Sequence, residues 1–210
     1  MLAGPTSPGT VVRRCAWVLR RAMIVLIALP GMLAAGGVWA DEIAVRGARL
    51  IAGEEGFTLD ADFAVTLTPR LENALNKGVA LYFTTEFECT HPRWYWLDDR
   101  VASVSRSTRV SFHALTRTYR LSTGTLHLSF PTLGDALRVL GRVRHWTVIE
   151  KGRLRPATSY VAAVRMRLDV SQLPKPFQVS ALANRDWTLA SDWAHWEFTT
   201  PAAQAEAGAR

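Results

Sequence analysis

The stretch Phe57–Leu67 reads FTLDADFAVTL, with apolar side chains at every second position and mostly polar side chains between them. A period of two residues places the apolar side chains on one face of a pleated strand, so the pattern predicts a half-buried strand. The preceding loop Gly53-Glu54-Glu55-Gly56 has a glycine at each end, and glycine tolerates the positive φ angles of tight turns. We therefore expect a hairpin in which this strand pairs with Ile43–Ile51.

Two helices and several more strands are predicted along the rest of the chain. Thr68 and Pro69 suit the cap and the first position of a helix that stops at Gly78. A second helix is predicted from about Thr132 to Arg144, with Asp135 completing a capping pair with Thr132. The remaining predicted strands are Val79–Cys89, Val101–His113, Tyr119–Leu121, Leu126–Phe130, Trp146–Ile149, Tyr160–Val170, Phe177–Leu182 and Trp187–Trp193.

These elements predict a mainly β fold, an antiparallel β-sandwich or curved sheet of about ten strands with two short helices. The order hairpin, helix, two strands occurs twice. Pro69–Leu75 and Pro131–Leu137 share Pro, Leu, Ala and Leu at the same offsets. Two amphipathic helices that begin near a proline resemble each other by chance, so chance and internal duplication are both open explanations.

The first forty residues have the pattern of an export signal. Four arginines (Arg13, Arg14, Arg20 and Arg21) precede the apolar run Ala22–Val38, and Val38-Trp39-Ala40 supplies a cleavage site before Asp41. A transmembrane anchor is the alternative, but Pro30 and three glycines interrupt a run already short for a span. We expect a signal peptide at 1–40 cleaved after Ala40, one β-rich periplasmic domain at 41–200, and a disordered tail at 201–210.

Composition narrows the classes of partner. The whole chain carries a formal charge of +7, but four of its 25 basic residues lie in the predicted signal. The part after Ala40 has 21 basic and 18 acidic residues, or +3. This ordinary balance gives little support to nucleic-acid binding.

The cysteines exclude an internal disulfide in the exported part, which retains only Cys89. A lone thiol is either a buried, inert side chain or a reactive nucleophile, and His91 lies two positions away. A closed zinc site needs four ligands, and no second Cys or His pair with ligand spacing occurs. We therefore expect no metal and no cofactor, and we assign no catalytic residue.

Aromatic residues supply the first candidate binding surfaces. One lies in the loop after the third strand and consists of Arg93, Trp94, Tyr95 and Trp96. The other is the set Trp187, Trp193 and Trp196 near the end of the chain. Trp196 has the opposite parity to the other two, so we expect a bulge or turn near Asp192. Either group can close the core or present a binding rim.

Charged residues supply the second candidate surface. Five arginines fall on two neighbouring predicted strands or the turn between them: Arg100, Arg106, Arg109, Arg117 and Arg120. If they share an outer face, they form a basic strip for an anionic lipid, a glycan or an acidic partner. The alternative is a solvated face on which Glu86 or Glu88 pairs with them across strands. Asp192 and His195 form either an acid/base pair or a turn-closing contact.

Four segments together resemble a known family. They are Ala80-Leu81-Tyr82-Phe83, Pro92–Trp96, Arg167–Pro176 and Asp186–Ser191. The chain resembles the exported Gram-negative proteins catalogued as domain of unknown function 4390. The resemblance implies no activity, substrate or cofactor, because the family has none assigned. It does imply a signalling partner, since members look to be encoded often beside a membrane sensor kinase of the two-component type.

Three functions follow in order of preference. The first is a non-enzymatic binding or accessory module of the cell envelope, which contacts a protein partner through Trp94–Trp96 or Trp187–Trp196. The second is a lipid or glycan carrier whose aromatic-lined β cleft holds the ligand while arginines meet its anionic group. The third is a hydrolase-like enzyme that uses Cys89, or Asp192 with His195.

Overall fold

The computed structural model describes residues 43–92 and 99–201, and these ranges contain nine strands and three α-helices. The first half comprises β1 (Ile43–Gly53), β2 (Gly56–Val65), α1 (Pro69–Asn76), β3 (Leu81–His91) and β4 (Asp99–His113). The second half comprises β5 (Thr118–Thr123), β6 (Leu126–Phe130), α2 (Leu133–Leu140), β7 (Arg142–Glu150), β8 (Ser159–Leu168), α3 (Lys175–Ala183) and β9 (Ala194–Thr199). Short 3-10 helices at Val170–Gln172 and Arg185–Trp187 flank α3.

The strands form two antiparallel sheets with the orders β1-β2-β7 and β6-β5-β4-β3-β8-β9. Inward-facing side chains of both sheets join one hydrophobic core. The predicted mainly β fold is confirmed, with nine strands in the described ranges rather than about ten, and with a third helix. No helix within 43–92 or 99–201 is long and apolar enough to cross a membrane.

The predicted glycine hairpin between β1 and β2 is present. Gly53 pairs with Gly56 across a two-residue turn. Gly56 has φ +129°, and a Cβ atom there would lie 2.1 Å from the carbonyl oxygen of Ile149. Only glycine allows β7 to approach this closely, so Gly56 fixes both the turn and the contact between β2 and β7.

The predicted caps of both helices are also present. The Leu71 N–H donates to Thr68 Oγ1 at 3.2 Å, with Pro69 in the first turn. The Asp135 N–H donates to Thr132 Oγ1 at 3.2 Å, and that hydroxyl donates to Asp135 Oδ2 at 2.6 Å. These contacts satisfy backbone donors that a helix start leaves unpaired.

Helix α2 ends earlier than predicted, at Leu140 instead of about Arg144. The Phe63 N–H donates to the Gly141 oxygen at 2.8 Å, so the chain joins the sheet at Gly141. A Cβ atom at Gly141 would lie 2.2 Å from the Phe63 oxygen. Close packing of two backbones therefore ends the helix, and Arg142 and Arg144 belong to β7.

Two strand predictions near the end of the chain are wrong. Phe177–Leu182 lies in helix α3, which has a proline in its first turn. Trp187–Trp193 is not a strand, because Trp187 ends a 3-10 helix and β9 begins only at Ala194. The predicted bulge near Asp192 is confirmed. Ala190 pairs with Arg167 and Ala194 with Val164, so four steps along this segment match three steps along β8.

The repeated order of elements does not extend to their arrangement. Strands β3 and β4 pair with each other, whereas β7 and β8 belong to different sheets. The helix cap Thr68 precedes Pro69, but the cap Thr132 follows Pro131. The shared letters therefore occupy different helical positions, which favours chance over duplication.

The predicted signal peptide and residues 202–210 of the predicted tail lie outside the described residues.

Candidate functional site

An open groove lies between β1 and β9, each of which is the last strand of its sheet. The groove has a volume of about 350 Å³. Apolar side chains from both sheets dominate its walls: Ala48, Leu50, Ala52, Phe57, Trp196 and Phe198. We call this feature the β1–β9 groove.

Register explains why Trp196 and Phe198 face the groove. On β9 they pair with Ala162 and Tyr160 of β8, which are buried in the core. Side chains of paired residues lie on the same face, so both rings point inward. They stay partly exposed because the sheets end here at two edge strands.

A row of aromatic rings includes two side chains that line the groove, Phe57 and Phe198. The ring centre of Phe198 lies 5.8 Å from that of Phe57 and 5.9 Å from that of Tyr160. Tyr160 in turn lies 5.3 Å from the His91 ring. Phe57 belongs to the three-stranded sheet and the other rings to the six-stranded sheet. Rings at these separations attract one another, so the row joins the sheets and holds Phe198 in place.

Arg49 stands at the rim of the groove and is held by Asp60 on the outer face of the three-stranded sheet. The buried Asp60 carboxylate accepts hydrogen bonds from the His145 N–H at 3.0 Å and from Arg49 Nη2 at 3.1 Å. The bond from the His145 N–H lowers the pKa of Asp60, reinforced by Arg49 and opposed by burial. His145 has φ +49° where the register between β2 and β7 shifts, and this bulge aims its N–H at Asp60.

The three tryptophans singled out in the sequence lie in different places. Trp187 is buried against the Phe177 ring, 5.0 Å between centres. Trp193 lies within the bulge and on the outer face, with the Arg165 guanidinium 4.4 Å from its ring centre. Only Trp196 lines the groove. Arg93, Trp94, Tyr95 and Trp96 lie outside the described residues.

The arginines of β4 do not share a face. Arg109 lies on the outer face, 5.9 Å from the Tyr82 ring centre, and Arg106 is paired with Thr85 on the inner face. Glu86 pairs with Arg165 and Arg167 of β8 rather than with this set. Glu88 does lie 3.8 Å from Arg100, as the cross-strand alternative predicts. Arg106 therefore does not belong to an outer basic strip, whereas Arg109 and Arg120 share the outer face.

Within the described ranges, no hydrogen bond joins Cys89 to His91 or Asp192 to His195. Cys89 is fully buried, and burial raises the pKa of its thiol to about 11. His91 Nδ1 contacts the Ser159 oxygen at 3.1 Å, and His195 Nδ1 contacts the Trp193 oxygen at 3.1 Å. Within 43–92 and 99–201, no three His, Cys, Asp or Glu side chains are grouped to hold a metal ion.

Phe57 and Phe198 are site residues that the sequence analysis did not identify. Alternation correctly assigns Phe57 to an inner face. It does not show that β1 and β9 end their sheets on the same side, which is what creates the groove that both rings line. The order of strands, not the strand pattern, creates the site.

Comparisons with known proteins agree with the family resemblance. A family model described as a domain of unknown function (DUF4390) matches residues 40–197. No curated protein matches the chain significantly, and no solved structure does. The match spans most of the 210 residues, and the chain therefore belongs to the family of domain of unknown function 4390 (DUF4390).

Proposed function

We propose that this chain is a non-enzymatic binding module of the cell envelope, exported to the periplasm, that holds a protein partner in the β1–β9 groove. The observation that carries the proposal is the open, aromatic-lined space between two edge strands. Trp196 is the central residue of the site. The periplasmic part of a membrane sensor kinase is the partner that we propose from the family resemblance.

The composition of the groove supports a protein partner. Binding surfaces for proteins combine an aromatic centre with a polar rim, and tryptophan is enriched among the residues that dominate affinity. Trp196 and Phe198 supply the centre, and Arg49 and Thr199 supply polar groups at the edge. An apolar side chain of a partner would displace water from both rings, which is favourable in proportion to the area covered.

Packing between the sheets makes a lipid carrier the weaker alternative. Phe83, Phe87 and Met166 are fully buried in the common core. A carrier needs an enclosed apolar space for an acyl chain. The groove is instead open at the surface, which suits a side chain of a docked protein.

Further support for a non-enzymatic role and for export comes from two separate features. The thiol of Cys89 is buried and carries a raised pKa, which disfavours the nucleophilic thiolate. The arginine-flanked apolar leader before Asp41 has the composition of a secretory signal. Neither feature requires a particular partner.

The test compares two tryptophans on opposite faces of the same segment. Native mass spectrometry of protein purified from the periplasm identifies the bound protein, which is then titrated against the variants. We expect W196A to weaken binding by at least about tenfold, because it removes an aromatic anchor. We expect W193A to change affinity by less than about threefold, because Trp193 lies on the outer face. Equal losses in both variants, or no loss in W196A, would overturn the proposal.

A further inference from the structure

A second cavity lies at the opposite edges of the two sheets, where β6 and β7 are the last strands. It has a volume of about 150 Å³, and helix α2 forms one of its walls. We call it the Arg106 cleft. It shares no lining residue with the β1–β9 groove.

Arg106 is an unusual residue for its position. It occupies an inward-facing place on β4, opposite Thr85, between the inward-facing Val104 and Thr108. Its side chain is partly buried, and no carboxylate in 43–92 or 99–201 forms an ion pair with it. A partly desolvated charge without a counter-charge is costly, so this position favours an anion from outside the chain.

Two other arginines of the same sheet show the contrast. Arg165 and Arg167 are also partly buried, and both donate to Glu86, at 2.6 and 2.8 Å. At this position the chain itself supplies the carboxylate, Glu86, that neutralises both guanidinium groups. Among the described residues, none of the side chains that line the Arg106 cleft is acidic.

The rest of the polar lining fits an oxyanion. Arg142, at the start of β7, also lines the cleft. Thr108 and Thr123 face the cleft with their hydroxyls 2.9 Å apart, and the buried Thr85 adds a third hydroxyl. Guanidinium groups and hydroxyls donate hydrogen bonds to carboxylate oxygens, and the planar guanidinium binds both oxygens at once.

The rest of the cleft lining is largely aliphatic. It includes side chains of β6 and α2: Leu126, Leu128, Val139 and Leu140. Leu126 and Leu128 are 56% and 39% exposed, which is high for leucines facing the interior of a sheet pair. A ligand with a short aliphatic body would cover them and remove apolar surface from water.

We propose that the Arg106 cleft binds a small aliphatic carboxylate, with the carboxylate on Arg106 and the carbon chain against Leu126 and Leu128. An apolar cavity of about 150 Å³ in another protein accommodates a molecule the size of benzene, which sets the scale of the ligand. The carboxylate is either that of a free acid or that of a polypeptide chain end.

The first experiment titrates butanoate into the protein and follows amide and methyl NMR signals. We expect saturable shifts at Thr123 and Leu128. R106M should weaken binding by at least about tenfold because it removes a charged hydrogen-bond donor. R109M is the matched control, since Arg109 lies on the outer face of the same strand, and it should bind as the unchanged protein does. Butanol, which lacks the charge, should bind at least about tenfold more weakly than butanoate.

A second measurement needs no variant, so it remains decisive if R106M fails to fold. Intermolecular NOEs should join the butanoate methyl protons to methyl groups of Leu128 and Leu140. N-acetylalanine distinguishes the two sources: tighter binding than butanoate assigns the site to a chain end, and weaker binding assigns it to a free acid. The proposal is overturned if butanoate gives no saturable shifts or if the NOEs lie elsewhere. It is also overturned if R106M binds butanoate as tightly as the unchanged protein does, or if butanol binds as tightly as butanoate.

Discussion

The guanidinium carbon of Arg165 lies 4.4 Å from the centre of the Trp193 ring, while its Nε donates to Glu86 Oε2 at 2.6 Å. Arg167 donates to the other oxygen of Glu86 at 2.8 Å. A cation held over an indole face is attracted to it, and the carboxylate fixes that cation in place. Glu86 therefore holds Trp193 on the outer face, away from the groove that Trp196 lines.

Replacing Glu86 should destabilise the fold in a pH-dependent way. Burial raises the pKa of Glu86, but hydrogen bonds and charge from both arginines outweigh it and lower the pKa below the ordinary 4.5. A lowered folded-state pKa contributes stability above the unfolded-state pKa, and that stability is lost as pH falls through the folded-state value. We expect E86Q to reduce the free energy of unfolding by about 1–2 kcal/mol at pH 7.

Urea denaturation between pH 3 and pH 7 measures this effect. The difference between E86Q and the unchanged protein should shrink as pH falls below about 4.5. E88Q is the matched control on the same strand, because Glu88 lies 3.8 Å from the exposed Arg100 and should contribute about 0–1 kcal/mol. A difference for E86Q that does not vary with pH would contradict this account of Glu86.

Asp60 and its neighbour Asp62 should differ sharply on replacement by alanine. D60A leaves the His145 N–H without its acceptor and should cost about 1–3 kcal/mol in unfolding free energy. D62A removes a half-exposed ion pair with Arg144 and should cost about 0–1 kcal/mol. Urea denaturation of both variants at one pH checks the order. Equal costs would mean that the bond to His145 contributes nothing.

Cys89 should resist thiol reagents in the folded protein. Its side chain is fully buried, and with a pKa of about 11 roughly one thiol in a thousand is ionised at pH 8. In a C15S background, a colorimetric disulfide reagent should label Cys89 only after denaturant is added. Rapid labelling under native conditions would require an accessible thiolate and would restore the cysteine-enzyme hypothesis.

The exported form should begin at Asp41. The leader has a basic region, an apolar run and a small-residue cleavage site in the order that signal peptidase recognises. N-terminal sequencing of protein from the periplasmic fraction of an expressing Gram-negative cell checks this expectation. Recovery of an uncleaved chain from the cytosol would refute both the export and the proposed envelope role.

Local chemistry made much of the fold predictable. Alternation over Phe57–Leu67 and the glycines around Glu54-Glu55 lead directly to the first hairpin, and Thr68 and Thr132 lead to the helix caps. The failure at Phe177–Leu182 has a physical reason, because a short apolar run does not distinguish a strand from a helix. Pro176, in the first turn of α3, was the signal that favoured the helix.

The sites were less predictable because they depend on contacts between distant strands. The sequence identifies Trp196 as a candidate aromatic residue, but its groove exists only because β1 and β9 end their sheets on the same side. The sequence prediction groups Arg106 with Arg109 in one basic strip, but the odd spacing between them places the two on opposite faces of the strand. Which face becomes the inner one is decided by β3, whose alternate residues Phe83 and Phe87 are buried.

Photo-crosslinking in the periplasm tests the proposed groove most directly. A benzophenone amino acid is placed at Ala52, which lines the groove opposite Phe57, or at Ser105, on the outer face of the six-stranded sheet. We predict one discrete protein adduct from position 52, lost in W196A and kept in W193A, and no adduct from position 105. An adduct from position 105 alone, or an adduct from position 52 that persists in W196A, would contradict the central claim that this groove holds the partner.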